Sequence, residues 1–182
     1  MQSTFQYEQP YAHLIHVWQE LAAQMGNVDG DEFFVLEAKP EYSYRMNIRR
    51  EQQATFNPHD WEKIYRTHAW LSILTPMNYA LFHGTKLMML ASVLPVAEEV
   101  GEISFLTDEN MITASIAVKR GLMQLFKQAL SEIPFPRLQA KVDAEFLIGR
   151  KFVERLGFEK EGVLRKFGPT KHDYIMYGLI KE

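Results

Sequence analysis

The sequence contains no cysteine, and that absence excludes several kinds of site together. Disulfide bonds, thiolate zinc sites and cysteine nucleophiles all require this residue. The six histidines are also scattered, and His13 and His16 have no carboxylate ligand at metal-binding spacing. We therefore predict no metal site and no disulfide framework.

The sequence also has no excess of positive charge and no long apolar run. The net charge is -3, and the basic residues Arg45, Arg49 and Arg50 are offset by nearby acids, whereas a nucleic-acid surface needs clustered cations. No stretch approaches the ~20 apolar residues that cross a bilayer, and residues 1–11 do not resemble a signal peptide. The expected location is the cytoplasm, with no nucleic-acid or membrane partner.

A length of 182 residues with a hydrophobic share of 47% indicates a single globular domain. Residues 1–77 are predicted to be a mainly helical, variable part of that domain. Apolar residues in 11–25 recur at helical spacing, 31–39 has the composition of a short strand, and Asn57–Pro58 is typical of a helix start. Residues 41–56 fit either a loop or an irregular helix.

From residue 78 onwards the apolar pattern becomes that of strands separated by turns and two helices. The strands are predicted at 79–82, 86–94, 101–107, 138–143, 160–167 and 174–181, and the helices at 115–130 and 145–156. A helix connects 101–107 to 138–143, so those two strands should lie parallel in the middle of the sheet. The predicted fold class is α/β, with a mixed, mostly antiparallel core sheet in residues 78–182 that helices flank. Either Thr113 or Ser115 would cap the first of the two helices.

A short motif near the C-terminus resembles a known family. Residues 152–162, with the sequence FVERLGFEKEG, are similar to the helix-to-strand junction of the GNAT family of N-acetyltransferases. In physical terms, Leu156 completes the last helical turn, Gly157 takes a left-handed conformation and Phe158 packs back beyond the cap. The order of elements from residue 78 to the end is similar too, so the resemblance covers more than half of the chain.

The resemblance implies a central pair of parallel strands that splay apart and hold acetyl-CoA as the co-substrate. In that family the pyrophosphate meets backbone N–H groups at the start of the helix that follows the first splayed strand. The corresponding loop here is 106–116. The cofactor-binding residues that the resemblance implies are Leu106, Met111, Ile112, Thr113, Ala114 and Ser115.

Two departures from the family pattern bear on binding and catalysis. Where the family places an Arg or Gln and two glycines, this sequence has Met111, Thr113 and Ser115, although hydroxyl and backbone N–H groups still bind anions. Where the family has an Asn and a general-acid Tyr, this sequence has Phe146 and Val153, which we interpret as core residues. The resemblance therefore assigns no catalytic residue.

One group of carboxylates remains as a candidate for acid–base chemistry. Glu102 lies on the predicted strand 101–107, which would line the wedge between the splayed strands, and Glu98 and Glu99 precede that strand. A buried carboxylate at this place could accept a proton from an amine. The other interpretation of Glu102 is an exposed carboxylate at a strand end.

Two functions follow as hypotheses. The first is an N-acyltransferase that moves an acetyl group from acetyl-CoA to an unidentified primary amine on a small molecule or a protein. The second is a GNAT-like protein that has lost catalysis and works with protein partners, for example as a virion-associated or assembly component of a bacteriophage. Aromatic residues that would anchor such partners are Tyr44, Phe56, Trp61 and Trp70.

Overall fold

A computed structural model of the chain describes residues 11, 13–48, 52, 77–168 and 171–182. The helix predicted to begin at Asn57–Pro58 lies outside these residues. The same holds for Phe56, Trp61 and Trp70 and for the side chain of Tyr44. The proposal that these aromatic residues anchor a partner therefore stays a prediction.

Within the described residues, eight strands form one sheet. They are β1 (Asn27–Val28), β2 (Asp31–Glu37), β3 (Asn78–His83), β4 (Lys86–Ala97), β5 (Val100–Thr107), β6 (Arg137–Asp143), β7 (Glu159–Leu164) and β8 (Tyr174–Ile180). Their order across the sheet is β1-β2-β3-β4-β5-β6-β8-β7. Neighbouring strands are antiparallel except for β5 and β6, which are parallel. The predicted mixed sheet is thus confirmed, and it also takes in β1 and β2 from the part of the chain predicted to be mainly helical.

The described helices are α1 (Leu14–Gln24), α2 (Pro40–Arg45), α3 (Asn110–Thr113), α4 (Ile116–Glu132) and α5 (Leu147–Leu156). Ser115 is the N-cap of α4, because its hydroxyl accepts a hydrogen bond of 3.1 Å from the Val118 N–H. Thr113, the other candidate cap, belongs instead to the short helix α3, in a stretch predicted to be a loop. Of the undecided residues 41–56, those in α2 are helical.

The main core lies between the sheet and the helices α1, α4 and α5. Trp18 of α1 stacks on Tyr79 of β3 with ring centroids 4.7 Å apart, and Phe126 of α4 meets Trp18 edge-on at 5.6 Å. A smaller apolar cluster covers the opposite face of the sheet. Its buried members are Met46, Ile48, Ala80, Leu90 and Leu106. Because side chains alternate along a strand, each central strand contributes to both faces.

The helix α5 ends with the predicted glycine cap. Gly157 has a φ of 103°, and its N–H donates to the Glu154 carbonyl at 3.1 Å. The next N–H, that of Phe158, donates to the Val153 carbonyl at 3.1 Å, which is the long-range bond of a Schellman motif. Phe158 is buried beyond the cap. The motif therefore fixes the point at which α5 ends and β7 begins.

The longest described helix is α4, with 17 residues, and it carries exposed charged residues such as Lys119 and Arg120. A search of the described residues for a helix long and apolar enough to span a membrane finds none. In the same part of the chain, no three His, Asp or Glu side chains are grouped as metal ligands.

Candidate functional site

The strands β5 and β6 run side by side only at their beginnings and then separate. Residues 100–102 pair with 137–139, and no further pair within the described residues joins the two strands. A cavity of about 480 Å³ lies between the separated segments. The predicted parallel and splayed pair is therefore confirmed. We call this space the wedge, and its paired end, at Glu102 and Gln139, the apex.

The wall of the wedge on the helix-facing side of the sheet is apolar. It is built from both strands and from α4 and α5, and its members are Ile103, Phe105, Leu122, Met123, Ala140, Val142, Phe152 and Val153. The rings of Phe105, Phe126 and Phe152 meet edge to face at centroid distances of 5.2, 5.4 and 5.8 Å. A largely apolar cleft with few polar groups is the usual form of a small-molecule site.

Along the edge of β5 that faces the wedge, a side chain forms hydrogen bonds with the backbone. The Asp108 N–H donates to Met88 of β4, so the alternate backbone groups of β5 point away from β4 and into the wedge. Two of these groups bond the Gln52 carboxamide. Its Nε2 donates to the Phe105 carbonyl at 2.6 Å, and its Oε1 accepts from the Thr107 N–H at 2.9 Å. Gln52 thus fills positions that a neighbouring strand would otherwise take.

A polar cluster lies at the apex, on the face of the sheet opposite the helices. The Lys141 Nζ lies 2.7 Å from Oε2 and 3.0 Å from Oε1 of Glu102, and the Gln139 Nε2 donates to the same carboxylate at 2.8 Å. The side chains of Glu102 and Lys141 are 23% and 26% exposed. The interpretation of Glu102 as an exposed strand-end carboxylate is therefore wrong. Glu98 and Glu99 are exposed between β4 and β5, and neither they nor Glu102 lines the cavity itself; Glu102 lies next to it, at the apex.

A second polar pair lies at the open end of the wedge. Asp143, at the end of β6, is buried; it accepts a hydrogen bond from the Glu145 N–H at 2.8 Å and lies 2.9 Å from the His172 Nδ1. The hydrogen bond with Asp143 raises the pKa of His172. Asp143 and Tyr174 line the cavity, whereas His172 does not. The pair ties the connection between β7 and β8 to the end of β6.

Basic side chains surround the cavity. Lys119 of α4 and Lys151 and Arg155 of α5 line it and are exposed to solvent. The Lys119 Nζ donates to the Ile112 carbonyl at 3.0 Å, and within the described part of the chain Lys151 and Arg155 form no ion pair. We call these three residues the basic rim. Their charges favour a ligand that carries negative charge outside the apolar wedge.

The six predicted cofactor-binding residues do not all reach the cavity. Leu106 and Met111 line it, whereas the other four do not, namely Ile112, Thr113, Ala114 and Ser115. Those four lie in α3 and at the start of α4, where the Ser115 hydroxyl already bonds one backbone N–H. The first N–H groups of α4, at the exposed residues Ile116 and Ala117, have no partner within the helix by its geometry. These N–H groups are donors available to an anion.

The two residues that replace the family's Asn and Tyr differ in their surroundings. Val153 is buried in the core, as predicted. Phe146 is not a core residue of the helix, because it precedes α5 and lines the cavity. Its ring packs so closely on Gly149 that a Cβ there would come within 2.3 Å of it. Phe146 therefore forms part of the cavity wall.

Four residues of the site were not predicted there from the sequence, namely Gln52, Lys141, Asp143 and His172. In the sequence, Lys141 is an ordinary polar residue of an alternating strand, and its contact with Glu102 spans 39 positions along the chain. One signal was available for it, because a parallel pairing of 101–107 with 138–143 places their polar faces side by side. No local pattern points to the contacts of Gln52 or His172.

Comparisons with known proteins identify the fold. No protein-family model matches the sequence, and no curated protein matches it. Among solved structures, an acetyltransferase of the GNAT family from Bacillus anthracis superposes with a TM-score of 0.57 at 12% identity, over 81% of this chain and 94% of that one. RimJ of Mycobacterium smegmatis, solved with CoA-disulfide, gives 0.57 at 13% identity over 82% of each chain. The self-immunity acetyltransferase MccE, solved with acetyl-CoA and AMP, gives 0.55 at 15% identity over 81% and 92%.

At these identities the likeness concerns the fold alone. It extends over most of this chain and most of each relative. The element order, the single parallel pair among the described strands and the wedge agree with it. The chain has the fold of the GNAT N-acetyltransferases.

Proposed function

We propose that the protein is an N-acyltransferase that moves an acetyl group from acetyl-CoA to a primary amine. The observation that carries this proposal is the wedge between β5 and β6, which is apolar on its helix-facing wall and polar at its apex. Solved structures with the same fold hold CoA-disulfide or acetyl-CoA. No acceptor amine is specified by these observations.

The distribution of charge fits a ligand of that kind. The apolar wall would accept an uncharged arm, while Lys119, Lys151 and Arg155 would face its phosphates. The exposed N–H groups at the start of α4 add backbone donors, which do not depend on glycine in the loop. The residues present therefore fit acetyl-CoA, although Met111, Thr113 and Ser115 replace the family's loop residues.

Glu102 is the residue that we assign to proton transfer in this reaction. An amine must be neutral before it attacks a thioester, so a carboxylate beside it is useful as a proton acceptor. Glu102 lies at the apex, is partly buried and already holds one amine, that of Lys141. Its position at the apex, next to the cavity, suits it to orient an acceptor as well.

A titration with acetyl-CoA tests whether the wedge binds it. A ligand present at a hundred times its Kd adds ~2.7 kcal/mol of apparent stability, which a rise in melting temperature reports. Charge reversal of the rim, Lys151→Glu with Arg155→Glu, should weaken that response. The matched control reverses two exposed charges away from the wedge, Lys127→Glu with Lys160→Glu, and should leave the response unchanged. A flat titration of the unaltered protein would contradict the proposal.

An acetylation assay on a mixture of primary amines tests the role of Glu102. Glu102→Gln keeps the size of the side chain and removes its capacity to accept a proton, so the rate should fall by about a hundredfold or more. Glu159→Gln, at an exposed position of β7, is the matched control and should retain full activity. Equal rates in the two variants would remove Glu102 from the reaction.

A second candidate function is a GNAT-like protein without catalysis that acts in an assembly, such as that of a bacteriophage virion. One observation favours it, namely that the loop 106–116 lacks the family's glycines and brings only Leu106, Thr107 and Met111 to the cavity. Absence of any acetyl-CoA response, together with co-purification of one defined protein partner, would support this candidate over the enzyme.

A further inference from the structure

The amine of Lys141 lies at the apex of the wedge. Lys141 lies on β6 two residues beyond Gln139, the last residue of β6 that pairs with β5. It lines the cavity, and its side chain is 26% exposed. Its Nζ is therefore held at the edge of the cavity, against Glu102, rather than extended into solvent.

The partner of this amine is the carboxylate assigned to proton transfer. The Lys141 Nζ lies within 3.0 Å of both carboxylate oxygens of Glu102, and Gln139 holds the same carboxylate from the side. The ring of Phe167 lies 5.2 Å from the Nζ and limits its movement on the other side. A positioned amine and a proton acceptor are the two things that acyl transfer needs from the acceptor side.

The other lysines around the cavity lack this arrangement. Lys119 bonds a backbone carbonyl at the surface, and Lys151 is exposed without an ion-pair partner in the described part of the chain. Among the residues that the structure describes, neither has a carboxylate next to its Nζ. Lys141 therefore differs from Lys119 and Lys151 in two ways: it has a carboxylate partner, and it is less exposed.

We propose that Lys141 is itself an acyl acceptor, so that the protein acylates its own chain at this residue. This inference rests on the proposed function. The Lys141 ammonium gives one proton to Glu102, and the neutral Nζ attacks the carbonyl carbon of the thioester. A C–N bond forms and the C–S bond breaks; the second proton leaves with the thiolate as the thiol of CoA, and Glu102 releases its proton to solvent. The product is an amide at Lys141.

The modification would change the site that carries it. An amide nitrogen has no positive charge, so the ion pair between Lys141 and Glu102 is lost. Glu102 would then be available to bind the amine of another acceptor. Acylation of Lys141 therefore opens the apex for reaction with other amines.

The test is to incubate the purified, unaltered protein with acetyl-CoA and to measure its intact mass, followed by peptide mapping. We expect one acetyl group per chain, located at Lys141, formed at least about a hundredfold more slowly in Glu102→Gln. Lys141→Arg should abolish the mass increase. Lys160→Arg, at an exposed position of β7, serves as the matched control and should not affect it.

Binding measured on the same samples separates the inference from the proposed function. If acetyl-CoA raises the melting temperature but Lys141 stays unmodified, the inference is wrong and the proposed function stands. Modification of Lys141 no faster than that of Lys160, or equally fast in Glu102→Gln, would also overturn it, because it would indicate uncatalysed chemistry. If acetyl-CoA has no effect on melting, both are contradicted. The mapping on the unaltered protein does not depend on any variant folding.

Discussion

The two faces of the sheet differ sharply at the wedge, although the same two strands build both. On the helix-facing side, Ile103 and Phe105 of β5 join a core in which aromatic rings pack edge to face. On the other side, Glu102 and Lys141 are partly exposed and bond each other. Because strand side chains alternate, one pair of strands supplies an apolar wall and a polar apex together. Burial of apolar side chains thus stabilises the helix-facing side, whereas the ion pair positions the polar side chains of the other side.

The strongest test of this contrast removes a ring from the helix-facing side. Phe126 is fully buried and contacts Trp18, Phe105 and Phe152. Phe126→Ala should therefore lower the free energy of unfolding by about 3–5 kcal/mol, through lost burial and a new cavity.

Urea denaturation would measure the loss. Gln124→Ala, on the exposed side of the same helix, is the control and should stay within about 0.5 kcal/mol of the unaltered protein. Similar stability of the two variants would show that the helix-facing core contributes less than its packing implies.

We expect a smaller loss of stability from a change at the N-terminus of α4, the helix that covers the apolar wall. Ser115→Ala removes the hydroxyl that accepts the Val118 N–H, and should cost about 1 kcal/mol of stability. Thr113→Ala, at the other candidate cap, should cost less, since its hydroxyl bonds a carbonyl within α3 at an exposed position. Thermal denaturation of the two variants would settle the order, and a larger loss for Thr113→Ala would contradict the cap assignment.

The ion pair on the polar face should contribute less to stability than either the Phe126 ring or the Ser115 cap. The ion pair of Glu102 and Lys141 is about one quarter exposed, so solvent screening limits its contribution to about 1 kcal/mol or less. A double-mutant cycle with Glu102→Gln and Lys141→Met would isolate the coupling between the two side chains. A coupling well above that value would show that the apex is a stabilising element of the fold and would weaken the contrast.

The smallest effect is a dependence on pH at the open end of the wedge. Since Asp143 raises the pKa of His172 above the ordinary value, the charged imidazole is stabilised in the folded protein. That contribution is fully present below about pH 6.5 and is lost as the pH rises through the raised pKa. Melting temperatures measured across this range should fall more for the unaltered protein than for His172→Gln. An equal fall in the two proteins would mean that protonation of His172 does not stabilise the folded state.

Much of the fold could be predicted because its signals are local. The left-handed cap at Gly157, the turn between β3 and β4 and the alternation in β6 each depend on a few neighbouring residues. The crossover rule then placed β5 beside β6 in parallel. Two strand ends were missed: β4 continues past Pro95 to Ala97 across a bulge that accommodates the proline, and β7 ends at Leu164 rather than at residue 167.

The candidate site was predicted less well because its contacts join distant parts of the chain. The loop 106–116 was located, yet four of the six cofactor-binding residues predicted in it lie outside the cavity. Gln52 reaches β5 across 53 positions, and His172 reaches Asp143 across 29. Such contacts depend on how the strands and their connections pack, which no short pattern in the sequence records.

The most direct test of the account is hydrogen exchange of the backbone amides with and without acetyl-CoA. Binding in the wedge predicts slower exchange at 103–107, 140–143 and the first turn of α4, with no change in β1 and β2 at the far edge of the sheet. Unchanged exchange in the wedge at a saturating concentration, or protection confined to another part of the sheet, would contradict the claim that the splayed strands form the binding site.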